Sequence, residues 1–356
     1  MIFQPNNHSK WKIHYRPVSQ KEAENVKNIA GSCYGIEPQN ILTIEQVDEA
    51  EINSNNFKIT TNKNTYLLRR YMGVRNQAAI GETLKLMEKL SIKGVNVPHL
   101  VPSQSKQLFV IDENNPYALF IFLNADHYRG TRQEIESAGR EIGKLDKALA
   151  CLPITGKQRK KLSLLKKVRE LRSYNLSIWK KIFQEARHQQ KNNPKDQFHA
   201  DLLVKEDFIL KDVRNVIKQK PRSTAWGIVH FDLHPHNLLA NGKKIAAIID
   251  FDSLHYLEKT RSLAFALHRM ARQYIIFNNL TDYSKVAAEA KNIFLNAYQD
   301  ICPIDKKELA TIPYFIRDEA LSRLTHAMKD NYFNNNPAWR QDLFKQTAHM
   351  AEAVYF

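Results

Sequence analysis

Residues 226–253 read Trp-Gly-Ile-Val-His-Phe-Asp-Leu-His-Pro-His-Asn-Leu-Leu-Ala-Asn-Gly-Lys-Lys-Ile-Ala-Ala-Ile-Ile-Asp-Phe-Asp-Ser. Two apolar runs, Leu238-Leu239-Ala240 and Ile245 to Ile249, flank Asn241-Gly242. Asn-Gly between such runs predicts a β-hairpin, because a type I′ turn needs positive φ at both central residues. Asn237 precedes the first strand and Asp250 ends the second, so the hairpin returns Asp250 toward the loop from His230 to Asn237. Pro235 discourages a helix in that loop. Asp232, Asn237 and Asp250 are therefore expected to converge on one end of the hairpin.

That trio suits phosphoryl transfer. Mg²⁺ takes hard oxygen ligands, commonly one or two carboxylates together with substrate phosphates. Asp250 offers a carboxylate and Asn237 an amide oxygen, which leaves Asp232 to orient an acceptor hydroxyl and take its proton. Such chemistry asks for positioning and charge neutralisation rather than covalent catalysis. His230, His234 and His236 crowd the same loop and admit a zinc-hydrolase reading. Their spacing with Asp232 matches no familiar metal-site pattern, and that reading leaves Asn237 and Asp250-Phe251-Asp252 without a role. His230 is expected to brace the loop, and His234 and His236 to face either the acceptor or solvent. Asp252 is open between anchoring its neighbours, contacting the acceptor and lying on the surface.

Outward from this island the chain divides. Strands are expected at Ile41 to Val47, Asn56 to Thr61, Thr65 to Tyr71, Leu108 to Ile111 and Tyr117 to Leu123, with helices over 19–31 and 76–92. From residue 131 onward the pattern is mostly helical, with 226–251 its one strand-rich stretch. A β-rich lobe over residues 1–124 and a helical lobe over 125–356 follow from this asymmetry.

Composition removes several alternatives. The 356 residues are 43% hydrophobic, enough for a substantial core and too apolar for wholesale disorder. No apolar run reaches membrane-spanning length, so no membrane span is expected, and the N-terminal stretch lacks the apolar region of a signal peptide. Three scattered cysteines without a Cys-x-x-Cys pair argue against a disulfide framework and fit a reducing cytoplasm. Glycine is scarce, at 11. There is no G-x-G-x-x-G, and the nearest approach to a P-loop, Gly139 to Lys144, has its glycines one residue too close and lies in a helix-like stretch.

The net charge of +16 invites a nucleic-acid partner. Most of it is local. Residues 157–191 hold twelve basic residues against Glu170 and Glu185, interleaved with apolar residues at helical spacing. An amphipathic helix ending before Asn192 is expected, with a solvated basic face or a face that recruits an anionic partner. No stable nucleic-acid partner is expected, since no helix-turn-helix, zinc-finger or RNP signature accompanies the charge.

His230-x-Asp232-x4-Asn237, followed thirteen positions on by Asp250-Phe251-Asp252, resembles the aminoglycoside phosphotransferase and choline kinase-like family. The resemblance implies an α+β, protein-kinase-like two-lobed fold. It implies ATP and Mg²⁺ as cofactors, Asp232 as catalytic base, and Asn237 and Asp250 as metal ligands. Arg69, in Tyr66-Leu67-Leu68-Arg69-Arg70, falls where the family carries a basic residue over the phosphates, with Glu82 as its ion-pair partner. Ser54-Asn55-Asn56-Phe57 resembles the nucleotide-covering turn. Phe122 and Leu123 fall at the interlobe hinge, and Leu239 and Ile249 are further nucleotide-site positions implied by the resemblance. Phe231, Asp146 and Ser262 depart from the family's commoner Gly, His and Asp. The expected reaction moves a γ-phosphoryl group to a hydroxyl of a small molecule such as an amino sugar, amino alcohol or sugar. A protein Ser/Thr kinase, a catalytically weak pseudokinase and a nucleic-acid-binding protein are the alternatives, and the oligomeric state is unknown.

Overall fold

A computed structural model describes residues 12–47, 54–72, 77–153, 155–156, 173–222, 224–278 and 282–356. The first lobe begins with strand β1 (Tyr15–Pro17) and helix α1 (Gln20–Tyr34). Ser19 caps α1 by accepting the Glu22 amide, and Gly35 ends it at φ 69°, a conformation that costs other residues strain. There follow β2 (Ile41–Val47), β3 (Ser54–Thr61), β4 (Thr65–Tyr71), helix α2 (Gln77–Ile92), β5 (Leu100–Val101), β6 (Val110–Asp112) and β7 (Asn115–Ile121). They form one antiparallel sheet in the order β1-β2-β3-β4-β7-β5, with β6 on β7.

Period-two alternation gives this sheet two different faces. Phe57, Ile59, Leu68, Tyr117 and Leu119 pack on Val26, Ile29 and Ala30 of α1. The other face carries Asn56, Leu67, Arg69 and Tyr71 toward α2 and the second lobe. The strands predicted at Ile41 to Val47 and Thr65 to Tyr71 have these bounds. Two others shift. The third strand starts at Ser54, so Ser54-Asn55-Asn56-Phe57 is ladder paired with Tyr71 to Leu68 rather than a turn. The last starts at Asn115 and ends at Ile121, which leaves Phe122 and Leu123 in the connection that follows.

The second lobe opens with β8 (Asp126–His127) and α3 (Arg132–Ala150), begun by a reciprocal capping box between Thr131 and Glu134. Gly139 and Gly143, the failed P-loop glycines, lie in α3. A Cβ on Gly139 would sit 2.4 Å from the Phe294 carbonyl oxygen, so glycine lets the two helix backbones touch. Then come α4 (Leu176–Asn192), α5 (Gln197–Val204), α6 (Glu206–Gln219), β9 (Trp226–His230), β10 (Leu238–Asn241), β11 (Lys244–Ile248) and β12 (Leu254–Glu258). The chain closes with α7 (Lys259–Phe277), α8 (Tyr283–Gln299), α9 (Lys306–Leu309), α10 (Ile312–Phe333) and α11 (Asp342–Glu352). One apolar core joins α2, α3, α7 and α8, and a second joins α4, α6, α10 and α11.

The single basic helix expected over 157–191 is corrected in its described part. Asn175 caps a helix that starts at Leu176, accepting the Ile178 amide at 2.9 Å. Trp179, Ile182, Phe183 and Ala186 form its buried stripe, while Lys180, Lys181, Arg187 and Lys191 face solvent. Residues 157–172, with the remaining basic residues of that segment, lie outside the described residues. Among the described residues no helix is long and apolar enough to cross a membrane.

Candidate active site

The hairpin β10–β11 pairs Asn241 with Lys244, so its turn residues are Gly242 and Lys243. Gly242 alone of these has positive φ, 62°. The expected type I′ turn centred on Asn241-Gly242 is thus shifted by one residue, because a turn with glycine first needs only one left-handed position. The hairpin still brings its open end to the preceding loop. The Ile249 amide donates to the Asn237 carbonyl at 3.0 Å, which sets Asn237 beside the start of Asp250.

Buried His230 ties the loop together. Its Nδ1 accepts the Asp232 amide at 3.4 Å, which puts the ring proton on Nε2, and Nε2 donates to the Ile249 carbonyl at 2.9 Å. Burial lowers the imidazole's pKa, so the neutral ring this pattern requires is the favoured one. Ser262, where relatives commonly have Asp, donates from Oγ to the His230 carbonyl at 3.0 Å. Asn237 donates from Nδ2 to the Asp232 carbonyl at 2.8 Å, which leaves its Oδ1 available to a cation. Asp250 is held at φ 61° and ψ 51°, a left-handed conformation that a non-glycine residue adopts at a cost and that recurs at functional sites.

The Asp232 carboxylate lies 3.4 Å from His234 Nε2 and 3.9 Å from Arg323 Nη2. Burial alone would raise its pKa. The hydrogen bond and charge of His234, with Arg323 behind them, outweigh burial and hold it well below the usual carboxylate range. Asp232 is therefore an ionised acceptor for a hydroxyl proton. His236 packs on His234 and His127 at ring distances of 5.7 and 5.0 Å. Among the described residues, no group of three or more His, Cys, Asp or Glu has the arrangement to hold a metal.

Between the lobes lies a cleft open to solvent. Of the expected nucleotide-site residues, Arg69, Phe122, Leu123, Leu239, Ile249 and Asp250 line it. Ile13, Tyr15, Asn56, Thr83 and Met87 line it as well and were missed. Asn56 was legible in principle, because it stands opposite Arg69 in the ladder. Asn55, one residue away, faces the other side of the sheet beside Arg70, whose guanidinium pairs with Glu22 of α1 at 2.7 Å. Alternation thus separates the Arg69-Arg70 pair, one arginine to the cleft and one to α1. Ser54 is buried at the start of β3 on the Asn56 side.

Arg69, expected from the resemblance to pair with Glu82, has carboxylates of the second lobe as partners. Arg69 Nη2 pairs with Asp252 Oδ2 at 3.2 Å and Asp250 Oδ1 at 3.7 Å, while Glu82 pairs with Lys85 at 3.7 Å. Thr83 and Met87 take the cleft-facing side of α2, and Glu82 is turned about 100° from Thr83 around the helix. Deeper in the second lobe, Arg261 is buried with its charge matched by Asp318, Glu258 at 3.2 Å and Glu319 at 3.6 Å. This network lines a second cavity, which Phe231, next to Asp232, also reaches.

Residues 43–258 match the model of the phosphotransferase enzyme family. A homoserine kinase of Mesorhizobium japonicum is 25% identical over 288 residues, covering 79% of this chain and 78% of that protein. A spectinomycin phosphotransferase solved with ADP and spectinomycin aligns with TM-score 0.64 at 15% identity, covering 92% of this chain and 93% of that one. An amicoumacin kinase solved with AMP-PNP, Ca²⁺ and its antibiotic aligns with TM-score 0.63 at 16% identity, over 92% and 97%. The solved structures show a common protein-kinase-like fold.

Proposed function

The chain belongs to the phosphotransferase enzyme family, and from that premise we propose that it moves the γ-phosphoryl group of ATP to a hydroxyl of a small molecule. The observation that carries this is one hydrogen-bonded unit. His230 and Asn237 tie the Asp232 loop to the end of β11, where Asp250 begins, beside a cleft holding Arg69.

In this reading adenine enters between the lobes against Leu239, Ile249 and the backbone of Phe122 and Leu123, and Arg69 turns its guanidinium to the phosphates. The donor set fits Mg²⁺, since Asn237 Oδ1 and the Asp250 carboxylate are hard oxygens at one end of the hairpin. They would hold the ion, which supplies charge neutralisation at the phosphates when bound. Asp232 accepts the acceptor's hydroxyl hydrogen bond and orients the oxygen in line. With so low a pKa it takes the proton late, once the oxygen has begun to bond to phosphorus and become acidic.

The test is binding of ATP with Mg²⁺ by calorimetry, followed by ADP release with a panel of hydroxyl compounds. Absence of nucleotide binding at millimolar concentration in folded protein would overturn the reading. Relatives and structural neighbours act, by name, on acceptors as different as homoserine and spectinomycin. Family membership therefore leaves the acceptor's charge to the chain's own residues.

A further inference from the structure

On the second-lobe side of Asp232, cations of two helices meet at one aromatic ring. Arg269 and Arg272 come from α7, and Arg323 from α10. The guanidinium carbons of Arg323 and Arg269 lie 4.9 and 5.0 Å from the centroid of one ring, Phe265, and are thus at most about 10 Å apart. Arg323 also contacts Asp232 at 3.9 Å and Glu319 at 2.6 Å. The cluster therefore starts at the catalytic carboxylate and ends one aromatic ring away.

Arg269 is the unusual member. It donates to Nε2 of His349 at 2.7 Å, while His349 Nδ1 carries the ring proton toward Gln346 Oε1 at 3.2 Å. Among the described residues no carboxylate is within ion-pair distance of it, although it is only partly exposed. Arg261, one helical turn before Phe265 on α7, is answered by three acids. The acids nearest Arg269 are engaged elsewhere. Glu319 is shared by Arg323 and Arg261, and Glu352 by His268 at 2.9 Å and Arg272 at 3.4 Å. His349 is held neutral, chiefly by burial and then by Arg269, so it relieves none of the charge by accepting a proton from solvent and adds none. A partly buried guanidinium on neutral partners, beside further cations, is costly unless an anion completes it.

We infer that the acceptor carries an anionic group, a carboxylate or a phosphate, held by Arg269 and Arg323 while its hydroxyl meets Asp232. A planar guanidinium pair suits such a group through bidentate hydrogen bonds. The short path from Arg269 past Phe265 to Asp232 implies a small acceptor, with hydroxyl and anion only a few bonds apart. The inference rests on the phosphotransferase reading and names its substrate class.

The experiment compares ADP release from ATP–Mg²⁺ with matched short-chain alcohols carrying a carboxylate, a phosphate ester, an amine alone or no charge. Turnover is expected with the carboxylate or phosphate set, and which of the two distinguishes the anion. Arg269→Met is expected to raise the acceptor KM by about ten- to a hundredfold, as loss of a charge-assisted contact implies, with Arg269→Lys recovering part of it. Nucleotide binding in the same variant reports an intact fold. Should Arg269→Met not fold, malonate and inorganic phosphate at constant ionic strength are titrated against the wild-type protein. They are then expected to raise its Tm and compete with the acceptor, where chloride does not. Preference for amine-bearing or neutral alcohols, or an unchanged KM in folded Arg269→Met, overturns the inference while leaving the phosphotransferase reading standing. Failure to bind ATP at all strikes the reading itself.

Discussion

Arg69 of the first lobe and Asp252 of the second, 183 residues apart in sequence, meet across the cleft at 3.2 Å. The pair joins β4 to the turn that follows Asp250, whose carboxylate lies 3.7 Å from the same guanidinium. Nucleotide phosphates entering the cleft would compete with both carboxylates for Arg69.

Arg69→Ala is therefore expected to weaken ATP binding by about ten- to a hundredfold, the range for a lost charged hydrogen bond. Arg69→Lys should retain part of the affinity, since the charge remains and the planar fork is lost. Calorimetric titration with an ATP analogue measures both. Equal affinities in wild type and Arg69→Ala would remove the arginine from the nucleotide site.

Asp232→Asn should lower kcat by about 10²- to 10⁴-fold, the usual span for a positioned proton acceptor. Its ATP affinity should stay within a few-fold of wild type, because Asp232 lies on the acceptor side of the loop. Single-turnover ADP formation separates the two. A variant that turns over normally would assign the hydroxyl proton to another group.

The acid limb of the rate profile should lie below the ordinary carboxylate range in wild type. The hydrogen bond and charge of His234, with Arg323, stabilise the ionised Asp232 against its burial. Since the ionised form is the working one, activity is present above that depressed value and is lost as pH falls through it. His234→Ala should move the limb upward, toward neutrality. An unmoved limb would separate His234 from the titration of Asp232.

Asp250→Asn should raise the Mg²⁺ concentration for half-maximal activity by about tenfold or more, since it removes one carboxylate from a site with few protein ligands. Activity measured across Mg²⁺ at saturating ATP tests it, and chelation should abolish turnover in both proteins. Asp252→Asn should show a smaller metal effect, because Asp252 is engaged with Arg69. Equal metal curves for wild type and Asp250→Asn would place the ion elsewhere.

Asp146 lies away from the catalytic unit, on α3. Burial raises its pKa to about 6 from 3.8, against the hydrogen bond from Tyr298 at 2.9 Å and the charge of Lys259. The folded chain thus binds this proton more tightly than the unfolded chain. Stability from this group is fullest below the unfolded value and is lost as pH rises through the window between the two. Asp146→Asn should flatten that dependence and stabilise the protein at pH 8, by on the order of 2–3 kcal/mol. Denaturant midpoints across that pH range decide it, and a variant less stable than wild type at pH 8 would refute it.

Much of the site was legible in residues 226–253. The Asn-Gly hairpin signal and the spacing of Asp232, Asn237 and Asp250 depend on local chemistry, a turn that needs glycine and strands that return the chain beside itself. The two-lobe division was legible for the same reason, as was the exclusion of glycine-rich nucleotide loops. Register was not. Sequence alone left Asn55 and Asn56 equivalent, and Arg69 and Arg70 nearly so, until strand pairing put one of each on the cleft face. Partnership across long separations was hidden too. Nothing local told that Arg69 would meet Asp252. Nor did anything local show that Arg269 and Arg323, on two different helices, would meet at Phe265 beside Asp232. Sequence determined which chemistry stands at one hairpin end, because that depends on neighbours in the chain. Tertiary packing decided which charges answer one another, because ion pairing depends on distance in space.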